Sequence, residues 1–554
     1  MTAVYRILDI HTQMLMRIVA VIVCQSMWAD VTVTTEFVVR GEVVQQRINP
    51  YGKDLQLLQR EPPLKHAKSV LHKDLVQELW MEQKLDQFDI ANNKTWLMRY
   101  LRNERYFQPH GPIFIFVGGE WEISPAFLLT GHMHDIARQH NGMLYYVEHR
   151  YYGLSWPTDD ASVKNLKYLS ARQALADLAH FIRYLKSNED DLSNSKIILT
   201  GASYSGSLVA WFAKLYPDFM DAGWASSAPL VAKLDFFEYM QQVGKVIQLR
   251  GGSECSELLE SGLEDIAALL ESSKAAQLQN ALRICKNFEA TNQLDRAAFF
   301  NGLGNYFATF AQLYDDQIVA EICTPLIANT NKDDLTGFME FLRRIFWPEF
   351  AKQAHAEDWC IDLSYEGMKS IFADLTDQLS GTRPWFYQSC HEFGWFTTTT
   401  NKQPTAIRQV TAARRHEATT QLQHSFGSQV PLNYFQQLCD DAFDQSADTA
   451  TYIDIDTSTS IQQTNSHFGG LNAAAALQHR VIFTHGELDP WRAVSLQWGE
   501  NVINIAGYSH TADLDSINFA DSVEMNVAKL KVAAFLRSVL RRKTTATSEL
   551  ATKK

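Results

Sequence analysis

At 554 residues the chain is too long for one ordinary domain, and with 46% hydrophobic and 12% aromatic residues it can bury large cores. Charged residues make up 20%, short of a disorder-type excess, and the formal net charge is −13. That acidity, with no basic stripe interleaved with aromatics, argues against a nucleic-acid partner.

Residues 14–29 read as a secretory signal: Arg17 precedes an apolar core from Ile18 to Cys24, and small residues follow at Ser26 and Ala29. The competing reading is a buried N-terminal strand. Residues 1–29 together are taken as a signal with an N-terminal extension, with Met14 or Met16 as an alternative start. The apolar core is too short to span a bilayer, and no other stretch approaches 18 continuous apolar residues, so no membrane span is expected. Residues 31–58 read as β-rich and then polar, and residues 83–103 as an edge hairpin. The first core strand, 112–117, runs into Gly118-Gly119-Glu120, where the glycine pair permits close backbone approach for packing or for an oxyanion donor.

A second strand, 143–147, ends in Glu148-His149-Arg150-Tyr151-Tyr152-Gly153, at the kind of strand end where α/β sheets carry functional loops. A structural Arg–Glu pair with aromatic packing is the stronger reading there. Residues 170–187 form the clearest helix, with Ser170 and Gln173 as a capping box and Leu175, Leu178, Ile182 and Leu185 on one apolar face. Next come a short apolar strand at 197–199, the turn Gly201-Ala202-Ser203-Tyr204-Ser205-Gly206, and a helix at 208–216. Strand, small-residue turn and helix with Ser203 at the apex is the setting of a nucleophile elbow, although an ordinary turn fits the motif alone equally well. The Tyr204 amide would be free to meet a developing oxyanion.

Residues 236–445 are helical in pattern with no β-rich run. They hold six of the seven cysteines, Cys255, Cys285, Cys323, Cys360, Cys390 and Cys439, the seventh being Cys24 in the signal. Three disulfides in an exported chain are expected. Asn93-Lys94-Thr95 is a glycosylation sequon usable in the same compartment. Residues 397–424 read as an exposed, apolar-poor loop. The α/β pattern resumes with a strand at 480–484 followed by His485-Gly486-Glu487-Leu488-Asp489-Pro490-Trp491, then a strand at 501–505 followed by Gly507-Tyr508-Ser509-His510. A final helix covers 522–541, and 542–554 is a polar tail. The expected organisation is an α/β core in two parts, 30–235 and 446–541, split by a helical cap domain at 236–445.

Ser203, Asp489 and His510 each follow a predicted strand, in the chain order of α/β-hydrolases. A serine hydroxyl is a poor nucleophile until an imidazole takes its proton, and a carboxylate must hold that imidazole in the right tautomer. His485, His467 and His149 compete for the histidine role, and Glu487 and Asp513 for the acid. No metal-ligand spacing and no phosphate-binding loop is present, so neither metal nor cofactor is expected.

These residues resemble a known family, the prolyl carboxypeptidase and dipeptidyl-peptidase family of serine exopeptidases. The likeness rests on GGE from Gly118, EHRYYGLSWP from Glu148, QALADLAHFI from Gln173 and GASYSGSLVAWFAKLYP from Gly201. It continues through WFYQSC ending at Cys390, GSQVPLNYFQQLC ending at Cys439, FGGLN from Phe468, GELDPW ending at Trp491 and SHTADL from Ser509. The resemblance implies an α/β-hydrolase core with an inserted helical, disulfide-braced cap. It implies a triad of Ser203, Asp489 and His510, with the amides of Tyr204 and Gly119 as oxyanion donors. It also implies cleavage of peptides on the carboxyl side of proline near a chain end, and the disulfides Cys255–Cys323, Cys285–Cys360 and Cys390–Cys439. Trp491 would line the proline pocket, and Glu120 is among the cleft groups that could read a substrate terminus.

Three features depart from the family pattern. Ala202 and Ser205 replace glycines, His485 stands where asparagine is usual, and the 397–424 loop is longer. The expectation is therefore an exported serine exopeptidase, extracellular or lysosomal, acting on proline-containing peptides. A lipase- or esterase-like hydrolase and a catalytically silent secreted binding protein are the alternatives on the same fold. Which substrate end is read, and whether the chain forms a homodimer, stay open at this stage.

Overall fold

The longest apolar runs of the sequence become the middle of one sheet. In a computed structural model of the chain, residues 46–64, 73–329, 334–351, 359–376, 380–399, 426–443 and 457–542 are described. The signal at 14–29, nearly all of the 397–424 loop and the tail from 543 lie outside the described residues.

The strands, in chain order, begin with β1 (Gln46–Ile48), β2 (Gln77–Lys84), β3 (Thr95–Asn103), β4 (Ile113–Val117), β5 (Met143–Val147) and β6 (Ile197–Ala202). They continue with β7 (Ala222–Ser226), β8 (Lys233–Asp235), β9 (Trp359–Ile361), β10 (Gly394–Phe396), β11 (Val481–Gly486) and β12 (Val502–Ile505). Eight of them form one mixed sheet in the order β12-β11-β7-β6-β4-β5-β3-β2. Every pair from β12 to β5 is parallel, and β3 joins β5 and β2 antiparallel.

The central strands are buried on both faces, as a parallel sheet between helices requires. Ile113, Ile115, Val117, Tyr145 and Leu199 point to one hydrophobic cluster, and Phe114, Phe116, Tyr146 and Ile198 to the other. Helices Ala171–Asn188 and Tyr204–Leu215 bury their apolar residues in the first cluster, and Val523–Arg541 in the second. This is an α/β-hydrolase fold.

Between β8 and β11 the chain is mainly helical, with long helices at Phe237–Leu270 and Gln293–Leu313. Its apolar side chains, among them Phe307, Phe338 and Tyr434, belong to the same cluster as the sheet residues Ile115 and Phe483, so the two layers share one core. Three disulfides brace this region: Cys255–Cys323, Cys285–Cys360 and Cys390–Cys439. Among the described residues no helix is long and apolar enough to cross a membrane.

Four expectations need correction. Residues 51–58, read from the sequence only as the polar end of a β-rich stretch, form a helix: Asn49 Oδ1 accepts from the Tyr51 amide at 3.0 Å, and Pro50 fixes the entry. The hairpin starts earlier than expected, at Gln77, and only β2 is an edge strand, because β3 also pairs with β5. The helical region contains strands after all, β9 paired with β1 and β10 paired with β8. Each is three residues long, too short for any alternation to be read. The capping box is half present. Ser170 Oγ accepts from the Gln173 amide at 3.2 Å, but the Gln173 side chain turns away to Asp86 and Gln87.

Candidate active site

Parallel strands bring their C-terminal ends to one edge, and the loops that follow β4, β6, β11 and β12 carry Gly119 and Glu120, Ser203 and Tyr204, Asp489 and Trp491, and His510. At the end of β6 the chain turns within one residue. Ser203 adopts φ 54° and ψ −131°, a conformation that costs a non-glycine residue about 1–3 kcal/mol. The turn can be this tight because Gly201 lacks a side chain: a Cβ there would lie 2.2 Å from the Ser205 carbonyl oxygen. Ser205, one of the two residues standing in for glycines, clamps the turn. Its Oγ donates to the Ala202 carbonyl at 2.9 Å and accepts from the Ala202 amide at 2.8 Å. The helix Tyr204–Leu215 begins at the next residue, so the Tyr204 amide is a first-turn N–H with no intrahelical acceptor.

Asp489 follows β11 and His510 follows β12, and the two meet: His510 Nδ1 donates to Asp489 Oδ1 at 2.9 Å, with both side chains buried. Asp489 Oδ1 also accepts from the Trp491 amide at 2.9 Å. Burial pushes the Asp489 carboxyl up, but His510, the Trp491 amide and Ser227 outweigh it and hold the group below its ordinary value. His510 Nε2 is buried and has no hydrogen-bond partner among the described residues.

None of the rivals forms this pair. Glu487 is exposed and accepts from the Gly507 amide, while Asp513 accepts from Ser226 Oγ at 2.5 Å. His149 donates through Nδ1 to the Arg150 carbonyl and accepts through Nε2 from the Tyr204 hydroxyl; burial pushes it down to about 3. His467 packs on the ring of Phe468. His485 is buried in β11 with neither ring nitrogen hydrogen-bonded within the described residues; burial pushes it down to about 4 although Asp489 and Asp513 pull the other way.

Gly118 and Gly119 both have packing reasons. A Cβ on Gly118 would lie 2.5 Å from the Val147 carbonyl oxygen, and one on Gly119 would lie 2.5 Å from the Trp121 ring. The loop from Glu148 is held by two buried ion pairs with other partners than expected. Arg99 Nη2 donates to Glu148 Oε1 at 2.6 Å, and Arg150 Nε donates to Asp177 Oδ2 at 2.7 Å.

Ser203, Glu120 and Trp491 line one cavity of about 130 Å³, together with Tyr239, Trp385, Trp395 and Phe396. Trp491 Nε1 donates to Gln312 Oε1 at 2.9 Å, and its ring lies 5.3 Å from Tyr239, 5.5 Å from Trp395 and 6.4 Å from His510. Asn93 is exposed in the turn between β2 and β3. Among the described residues no group of three or more His, Cys, Asp or Glu is arranged to hold a metal.

Two residues escaped the sequence reading. The Ser203 amide donates to the Ser226 carbonyl at 2.9 Å, and Ser227 Oγ accepts from the Thr511 amide at 2.9 Å. Ser226 and Ser227 thus tie the elbow to the loop carrying His510. The available signal was the small pair Ser-Ser directly after the apolar run of β7.

The thymus-specific serine protease of Mus musculus is 29% identical over 481 residues, covering 83% of this chain and 87% of that protein. The lysosomal Pro-X carboxypeptidase of Homo sapiens is 34% identical over 218 residues, 37% of this chain and 43% of that protein. Among solved structures, an arylesterase aligns at a TM-score of 0.21 and 17% identity over 33% of this chain and 53% of that one. The sequence pattern of one family, described as serine carboxypeptidase S28, matches residues 83–532. The chain belongs to this family of serine peptidases.

Proposed function

We propose that the chain is a serine exopeptidase that hydrolyses peptide bonds on the carboxyl side of proline near a chain terminus. The observation that carries the reading is the buried Asp489–His510 hydrogen bond, set beside a cavity that Ser203 and Trp491 share.

With Nδ1–H committed to Asp489, the other ring nitrogen of His510 is the one left to take a proton. Ser203 Oγ attacks the carbonyl carbon as its proton passes to His510 Nε2, and the tetrahedral oxyanion meets the amides of Tyr204 and Gly119. His510 then gives the proton to the leaving nitrogen, the C–N bond breaks, and an ester to Ser203 remains. Water, deprotonated by His510, hydrolyses that ester in the reverse sequence. Asp489 orients the ring and stabilises its charged form. The walls offered by Trp491, Trp385, Trp395, Tyr239 and Phe396 are aromatic. They suit a pyrrolidine ring, which buries apolar surface and carries no backbone N–H to satisfy.

The same reading assigns the chain to the secretory pathway, extracellular or lysosomal, with residues 14–29 as its signal and Asn93 as a glycan acceptor. Its support is the set of three disulfides, which form and persist in oxidising compartments.

The test is Ser203→Ala in secreted, purified protein. Wild type should cleave a proline-containing peptide and react covalently with a fluorophosphonate. The variant should be secreted and folded like wild type, with both activities lost. Peptidase activity that survives the substitution would refute the assignment.

A further inference from the structure

The polar lining of the Ser203 cavity is one-sided. Its described lining includes one acid, Glu120, several amides, among them Gln59, Asn301, Asn305 and Gln312, and no lysine, arginine or histidine. Glu120 is 4% exposed and its Oε2 has no hydrogen-bond partner among the described residues. Its other polar contact is its own backbone amide. Gln59 Oε1, buried on the same cavity, is likewise unpartnered.

Three buried cations of the fold are committed, whereas Arg60, which follows Gln59 and lies over the Tyr314 ring, leaves its Nε without a partner among the described residues and does not line the cavity. Arg99 binds Glu148, Glu122 and Glu78, Arg150 binds Asp177, and Arg383 donates to the carbonyls of Ala161, Phe372 and Ala442. Burial pushes the Glu120 carboxyl up to about 8, the behaviour of an acid that lacks a cationic partner. A buried acceptor left unpaired is costly, and it marks the place of a missing donor.

The terminus of a peptide substrate is either an ammonium or a carboxylate. An ammonium brings three N–H donors and a positive charge, which match an unpaired carboxylate oxygen and an unpaired amide oxygen. A carboxylate would need a cation or a nest of donors, and no lysine, arginine or histidine lines the cavity among the described residues. We propose that Glu120 anchors the free α-ammonium of the substrate, so that the chain removes a short amino-terminal fragment ending in proline. This inference rests on the serine exopeptidase reading above and selects the end of the substrate that is read.

The experiment uses the full secreted chain and three substrates: alanyl-prolyl-aminomethylcoumarin, its N-acetyl derivative, and an N-acetylated peptide ending in Pro-Phe with a free carboxylate. The expected result is turnover of the first and loss of about a hundredfold in kcat/KM on acetylation, the worth of a hydrogen-bonded charge. Glu120→Gln should raise KM for the free-amine substrate by about tenfold or more, leave the N-acetyl substrate as poor as it is in wild type, and lose less when replaced by Glu120→Asp. Fluorophosphonate labelling of Ser203 reports that each variant is folded. If Glu120→Gln fails to fold, the wild-type ratio between free and acetylated substrates decides alone.

Release of phenylalanine from the third peptide, or indifference to acetylation, would overturn the inference and leave the exopeptidase reading intact. Failure to cleave any proline peptide while Ser203 still labels would instead refute that reading.

Discussion

Ser205 is bound at both ends of its hydroxyl to Ala202, one residue before the nucleophile. The side chain therefore acts as a brace for the strained Ser203 backbone. Ser205→Ala removes both hydrogen bonds and leaves the buried Ala202 amide and carbonyl to find other partners. A loss of about 1–3 kcal/mol of stability is expected, with a fall in kcat that exceeds any change in KM, because the turn that aims Ser203 loosens. Denaturant unfolding and steady-state kinetics check both parts; a variant with unchanged kcat would mean that the backbone alone sets the elbow. Asp489→Asn belongs to the same scale. It keeps the size of the side chain but removes the charge that fixes the His510 tautomer, and kcat should fall by about 10⁴, the loss seen when the acid of a comparable triad is neutralised.

Much of this was legible in the residues themselves. Ser203, Asp489 and His510 announce themselves because each needs a distinct chemical type at a strand end. The choice of Asp489 over Glu487 and Asp513 needed the hydrogen bonds. Ser226 and Ser227 were invisible for a physical reason: they act through backbone groups and hydroxyls toward residues hundreds of positions away, and Ser-Ser has no spacing that points there.

Among the elements, the segment from Thr382 to Phe393 is fastened to the sheet from two sides. Gln388 Nε2 donates to the Tyr204 hydroxyl at 3.1 Å, Gln388 Oε1 accepts from the Tyr152 hydroxyl at 2.7 Å, and Cys390 is tied to Cys439. The same segment supplies Trp385 and Ser389 to the cavity, so the disulfide holds one wall of the site. Replacing Cys390 and Cys439 by serine frees a loop of 49 residues, and the chain-entropy estimate puts the loss at about 4 kcal/mol. A drop in Tm of several degrees is expected, with KM for proline substrates rising more than kcat falls. A variant whose Tm drops while KM is unchanged would show that the wall stands without its brace.

Long apolar strands were readable at this scale because burial on both faces leaves few polar residues in them, such as Thr200, Thr484 and His485 near their ends. The three-residue pairs β1–β9 and β8–β10 were not, since their partners lie far apart in the chain. The helix Tyr51–Leu58 was missed because its entry signal, Asn49-Pro50, was outweighed by the β-rich run before it.

For the whole molecule, buried titrating groups set how stability depends on pH. His149 and His485 are held neutral down to about 3 and about 4, against an ordinary value of 6.5. Below pH 6.5 the unfolded chain takes up protons that these two cannot accept while folded, so stability falls as pH falls. Glu120 works in the opposite sense. Its carboxyl keeps a proton up to about 8, against an ordinary 4.5, so its contribution is complete below pH 4.5 and is lost as pH rises to about 8. Each unmatched proton is worth about 1.4 kcal/mol per pH unit. His391, pushed by burial down to about 4, and Glu392, pushed up to about 7, act in the same two senses. Between pH 4.5 and 6.5 three histidines outweigh two glutamates, and stability rises with pH; above 6.5 the glutamates remain, and stability declines. These groups together set a maximum near pH 6.5, measurable by urea unfolding from pH 4 to 9. In Glu120→Gln the alkaline decline should flatten while the acid limb keeps its slope. A free-amine ligand should flatten it in wild type as well, because an ammonium beside Glu120 removes the reason for the carboxyl to stay protonated. Identical alkaline limbs in all three cases would mean that Glu120 is not one of the groups responsible.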